Sequence, residues 1–201
     1  MQGRDRPVTR ADKDGWAMKG TLVAVLAAVS LIPLGSFELD PDGSRLEFAV
    51  KDNRGGFTGV ARAVEARAVV REQGESFAAD VDLRIDARKI TTGIGLRDGQ
   101  MRRDFLHTDR FPLITLRGTA LPGDRPGALP FAARLRGVLT IKDVTREVEI
   151  PMRVTALADA YLAEGQVVLR LSEFGIPVPR FFIFVAEDPV TVTFKIRLTS
   201  K

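Results

Sequence analysis

The 201-residue chain contains no cysteine. Disulfides, thiol nucleophiles, thiolate metal sites, c-type haem attachment and a lipid-modified N-terminal cysteine are all excluded. Histidine occurs once, as His107, so no histidine-rich metal centre can be assembled. Aromatic residues are few and lopsided, with one Trp, one Tyr and twelve Phe. Phe has no polar handle and suits a dry interior. No strong excess of one charge exists either: 30 Lys and Arg stand against 26 Asp and Glu. Over residues 37–201 the balance is 25 against 23, interspersed, which leaves no footprint for nucleic acid. Hydrophobic residues at 45% and charged residues at 28% describe a folded globular chain, neither disordered nor polytopic in a membrane.

One uninterrupted apolar run, TLVAVLAAVSLI (Thr21 to Ile32), follows Lys19 and precedes PLGS. A basic flank, an apolar core and a small-residue end predict a secretory signal peptide, and with it a periplasmic or secreted protein. The run is shorter than the ~20 apolar residues that span a bilayer. A buried helix and an uncleaved anchor are the competing readings. The stretch before Lys19 is long and carries acids, and no A-x-A site precedes Phe37. Met18-Lys19 would open a conventional signal, so a start at Met18 is expected. The chain therefore divides into a leader over residues 1–36 and one domain over 37–201.

From Ser44 onward the dominant period is two. Apolar residues alternate with polar ones in eight runs: Leu46 to Val50, Val64 to Ala68, Phe77 to Ile85, Ile114 to Leu116, Phe131 to Ile141, Val148 to Val154, Val167 to Leu171 and Val190 to Leu198. One-sided alternation predicts antiparallel strands with one wet face. Short connections agree, among them Gln73-Gly74 and Lys142-Asp143. Eight such strands must close or stack, and closure at eight leaves an interior that is filled or holds one small ligand. LRDGQMRRDFL (Leu96 to Leu106) breaks the alternation and places Met101 and Phe105 four apart on one helical face. A short helix is expected there, between strands 3 and 4, covering one barrel end. A second irregular stretch, Phe174 to Pro189, holds Phe181, Phe182 and Phe184.

Catalytic groupings are missing. His107 lies in a loop, no G-x-S-x-G elbow occurs, and GGFTG (Gly55 to Gly59) lacks the Lys-Ser/Thr of a phosphate loop and reads as a turn or bulge. Asp80, Asp82 and Asp86 share a strand face with Arg84 among them and read as a solvated face rather than a metal site. Binding rather than catalysis is expected, with no metal and no enzyme activity.

ITTGIGLRDGQMRRDFLHTDRFPLITL (Ile90 to Leu116) resembles the signature of the YceI-like family of bacterial periplasmic, polyisoprenoid-binding, lipocalin-like proteins. The matching elements are Thr92-Gly93, Arg97-Asp98, Met101, Phe105 and Phe111-Pro112. FELDPDGSRLEFAV (Phe37 to Val50), LRGVLTIKDVTREVEIPM (Leu135 to Met152) and SEFGIP (Ser172 to Pro177) are similar to the family's first strand, hairpin and Phe-Gly element, in the same order. Where the family often has Trp and a His before Ser, this chain has Phe37 and Gly43.

The resemblance implies an eight-stranded antiparallel lipocalin-like barrel around a lipophilic tunnel. Its expected wall is Phe48, Val50, Phe57, Val81, Leu83, Ile85, Ile114, Leu139, Ile141, Val148, Ile150, Val192 and Phe194, with a lid or mouth of Met101, Phe105, Phe181, Phe182 and Phe184. The same residues could instead fill a solid core. Arg97, Arg102 and Arg103 are candidates for a polar headgroup, although Arg97 beside Asp98 could pair locally. The expected partner is a lipophilic small molecule, with a bound isoprenoid quinone or polyprenyl lipid as occupant and no other cofactor. Transient membrane contact and a dimer are compatible with this reading. An enzyme or redox-quinone host, and a filled structural or partner-binding barrel, stay open as alternatives.

Overall fold

A computed structural model describes residues 33–200 other than 75, 124–128, 179 and 182–183, and omits the side chains of 180, 181 and 184. The apolar run of the leader, Phe182 and the Phe181 and Phe184 side chains lie outside the described residues. The alternating runs fold as antiparallel strands. These are β1 (Gly35–Asp52), β2 (Phe57–Ala61), β3 (Ala63–Gln73), β4 (Ser76–Asp86), β5 (Leu113–Pro122), β6 (Phe131–Ile141), β7 (Val144–Ala156), β8 (Ala160–Arg170), β9 (Arg180–Phe181) and β10 (Phe184–Ser200). The sheet runs β2-β1-β3-β4-β5-β6-β7-β8-β10-β9, and β1 also pairs with β10. That last pairing, from Phe37↔Ser200 to Asp52↔Ala186, closes eight of the strands into a barrel. Closure removes the open edges that an eight-stranded meander would otherwise expose.

The helix α1 (Gly95–Gln100) continues through a π-helical turn, Met101–Leu106, and lies between β4 and β5, not between strands 3 and 4. The miscount has a specific cause. Gly55 and Gly56, both at positive φ, turn the chain as expected, but the residues after them form β2, which pairs with β1 from Leu46↔Ala61 to Val50↔Phe57. Five residues after a glycine pair gave too short a run to read as a strand.

β1 changes partner along its length. Its start pairs with β3 at Gly35↔Val70 through Glu38↔Arg67, and its end pairs with β2. Between them the strand bulges at 41–44 against β10. Asp40 Oδ1 accepts from the N–H of Asp42 and Gly43, and Arg197 donates to Asp40 Oδ2 at 2.7 Å. A side chain on Gly43 would collide with the Arg197 stem, its Cβ standing 2.5 Å from Cδ. Arg197 thus occupies the space that a larger residue before Ser44 would need.

One barrel end is sealed. Phe37, Ala68, Val70, Phe131 and Ala133 form a buried cluster there, joined by Phe77 and Tyr161. Phe37 meets Tyr161 edge-on at 5.2 Å, and Phe77 meets Phe131 at 5.5 Å. A larger cluster, which includes Leu46, Leu83, Leu116, Leu135 and Ile150, lines the rest of the interior.

The outer faces of β3, β4 and β5 are cross-linked by charge and hydrogen bonds. Asp80 accepts from Arg71 at 2.8 Å and from the Thr119 hydroxyl, and Asp82 faces Arg117 at 3.0 Å. Asp86 departs from the solvated-face expectation: it is buried, and caps the 3-10 turn Ala87–Lys89 by accepting from the N–H and guanidinium of Arg88. Strand alternation ends at Asp86, so its frame no longer dictates its exposure.

Phe37 is 4% exposed, so Phe37→Ala should cost about 3–5 kcal/mol of unfolding free energy, measured by urea denaturation.

Candidate functional site

Beyond the sealed end the barrel axis holds a cavity of about 620 Å³. That size falls within the ~300–1,000 Å³ of small-molecule sites. All eight closing strands contribute inward side chains to it. Polar residues border it at six positions, Glu47, Asp52, Arg54, Arg67, Arg97 and Gln100, and of these the Glu47 and Arg67 side chains bond on the outer face, to Arg45 and Ser36.

Two cross-strand glycines keep this interior open. Phe48 stands opposite Gly59, and Phe194 opposite Gly165. A Cβ on Gly59 would lie 2.3 Å from Phe48 Cζ, and one on Gly165 would lie 2.6 Å from Phe194 Cζ. Each ring therefore occupies the space of its neighbour's absent side chain and lies along the wall. Covering a strand glycine with an aromatic ring also repairs the packing the glycine loses.

The mouth is bordered by the β1–β2 turn and the start of α1. The connection after β4 is tied to the wall by two hydrogen bonds, Val60 N–H to Thr91 O at 2.8 Å and Thr91 N–H to Val60 O at 3.0 Å. Asp98 then fastens α1 to that connection. It is 5% exposed and accepts from the Thr91 hydroxyl at 2.5 Å, the Thr92 hydroxyl at 2.7 Å and the Thr92 N–H at 2.7 Å. Burial alone would raise its carboxyl, but these hydrogen bonds, with Arg102 nearby, hold it below the ordinary carboxylate range. Asp98 is thus spent on threonines. Arg97 instead lies over the Phe57 ring, 4.1 Å from its centroid, and faces the cavity.

Of the expected wall, Phe48, Val50, Phe57, Val81, Leu83, Ile85, Ile114, Leu139, Ile141, Ile150, Val192 and Phe194 line the cavity, as do Met101 and Phe105 from the lid. Val148 does not. It packs against the core cluster and borders a smaller cleft of about 200 Å³ together with Phe174. Arg102 and Arg103 also stay outside. Arg102 donates to the Arg88 carbonyl at 2.9 Å, and Arg103 pairs with Asp104 at 3.4 Å. His107 is exposed, in the left-handed conformation that ends the π-helical turn.

The sequence reading missed other lining residues. Leu116, Leu135 and Ile196 sit in the same alternating frames as those it chose, and Leu169 lies in the Val167 to Leu171 run, from which it chose none. Phe174 and Ile176 carry no such signal, because Phe174 ends the 3-10 turn Leu171–Phe174 and Ile176 follows its Gly175 cap at φ 63°.

Two outcomes test this geometry. Gly165→Ala, whose Cβ would stand 2.5 Å from the Pro151 carbonyl oxygen and 2.6 Å from Phe194 Cζ, should lower stability, read by urea melts, and by displacing the ring weaken binding of an apolar probe about tenfold, the equivalent of roughly two methylenes of lost burial, read by fluorescence titration. Asp98 has a folded-state pKa below its unfolded value, so its stabilisation is present above about pH 4 and is lost as pH falls through the folded value. Asp98→Ala should lower stability at neutral pH by about 2 kcal/mol and remove part of the acid-side decline, measured by urea melts across pH.

Comparison with curated proteins gives no match. Solved structures share the fold. BcnA of Burkholderia cenocepacia aligns at 18% identity over 79% of this chain and 98% of its own, with TM-score 0.65. A polyisoprenoid binding domain from Saccharophagus degradans, implicated in plant cell wall breakdown, aligns at 17% over 84% and 100%, also with TM-score 0.65. The Campylobacter jejuni YCEI protein aligns at 15% over 75% and 85%, with TM-score 0.53. Residues 37–198, almost the whole barrel from Phe37 of the sealed end to Leu198 of the last strand, match the YceI-like domain, and the chain belongs to that family.

Proposed function

We propose that this protein binds, without chemically altering it, one isoprenoid-type or similar long-chain lipophilic molecule, and carries or sequesters it in the periplasm or outside the cell. The observation that carries this reading is the apolar cavity of about 620 Å³ inside a closed barrel. Support comes from the polyisoprenoid binding domain that shares its fold and from the apolar run after Lys19.

Hydrocarbon burial gains ~0.8 kcal/mol per CH₂, so a chain of ~15 carbons gains about 12 kcal/mol gross. Lost translational and chain freedom removes several kcal/mol of that. Affinity can rest on transfer alone, which fits a wall with so few polar groups. Arg97 is the headgroup candidate that faces the cavity, where it could meet a phosphate or a quinone oxygen.

Native mass spectrometry of protein purified from its natural source should show one bound lipid of constant mass. A dansyl-labelled farnesol probe should bind the delipidated protein, and Leu83→Trp should weaken that binding about tenfold while the fold is kept. Protein that carries no lipid and takes up no probe would sink the reading, and turnover of the probe would replace it with an enzymatic one.

A further inference from the structure

The rim of the mouth is apolar and exposed. Ile94 is 50% exposed and Leu96 76% exposed at the start of α1. Val185, 39% exposed, joins the same rim, because its N–H donates to Asn53 Oδ1 and its carbonyl accepts from the Asn53 N–H in the β1–β2 turn. Ile94 and Leu96 also line the cavity, so the greasy rim is continuous with the greasy interior.

Charge gathers around this rim. Segments 51–62, 86–110, 180–181 and 184–189, which frame the mouth, carry ten Lys and Arg against seven Asp and Glu. The remainder of 37–201 carries fifteen against sixteen. The barrel is thus polarised, positive where it opens and slightly negative elsewhere. Asp98 is held by threonines and takes up no cation of the rim, whereas Asp86 pairs with Arg88 and Asp104 with Arg103. Along the helix, Leu96, Gly99 and Arg103 recur on one face, and Arg103 leans back so that its Nη1 lies 3.8 Å from where a Gly99 Cβ would stand. An exposed leucine and a cation therefore share a face.

Apolar side chains ringed by cations fit the interface of an anionic bilayer: the leucine side enters the acyl boundary while the cations meet phosphate. We propose that the mouth, through Leu96, Ile94 and Val185 and the surrounding Lys and Arg, docks on an anionic lipid bilayer. No helix among the described residues is long and apolar enough to cross a membrane. Docking extends the carrier reading to the source of the cargo and rests on it only for that purpose.

The absence of cysteine makes the test direct. Leu96→Cys in the full chain is labelled with a polarity-sensitive dye, and Leu157→Cys, an exposed site in the β7–β8 connection, serves as the reference. Adding phosphatidylglycerol-rich vesicles should blue-shift the dye at 96 and not at 157. Phosphatidylcholine vesicles, or about 1 M salt where the screening length falls to ~3 Å, should abolish the shift. Lys89→Glu combined with Arg103→Glu should weaken vesicle binding at least about 25-fold, at roughly fivefold per cation removed. The same double variant should take up dansyl-farnesol from detergent solution as the parent does, which separates failure of docking from failure of ligand binding. No vesicle-dependent shift at 96, equal shifts at 96 and 157, or a shift that follows protein concentration without vesicles would overturn the proposal, the last by assigning the rim to a second copy of the chain.

Discussion

The pairing of β1 with β10 is the constraint from which the rest follows. An antiparallel meander with one apolar face must hide that face, and here it does so by curling until its first strand meets its last. Eight strands fix the girth of the tube. Side chains then decide whether the tube is solid or hollow. At one end large rings converge and fill it; further along, two rings lie back against glycines and a space is left. The cavity is therefore a product of local choices at a few positions, made inside a closure that the whole chain enforces.

The mouth depends on that closure through a short chain of bonds. β1 holds β2, β2 holds the backbone at Thr91, and Thr91 with Thr92 holds Asp98. A six-residue helix could not persist by itself. Its position over the opening is secured by one buried carboxylate whose hydrogen-bond capacity is satisfied by neighbours fixed to the wall. The Thr-Gly and Arg-Asp pairs of the family signature acquire physical meanings here. The threonines receive the aspartate, and the arginine, left without it, covers Phe57 at the rim.

Much of this was legible in the residues because period-two alternation is a local signal. Leu83 and Ile85, or Val192 and Phe194, announce an inward frame without any knowledge of partners. Features that depend on distant contacts were not legible. β2 is five residues long and owes its existence to β1. Phe174 and Ile176 reach the cavity from a 3-10 turn with no period to read. Asp98 stands next to Arg97 in sequence, yet its partners lie six and seven residues back, and only the fold decides between them. Arg102 and Arg103 follow Arg97 closely, but helical rotation turns them away from the bore.

The aromatic seal at Phe37 and Tyr161 makes the tube a cul-de-sac. In the carrier reading proposed above, a long guest would enter and leave by the same door with its trailing group next to Arg97, so delivery would be a collision between two openings rather than a passage through one.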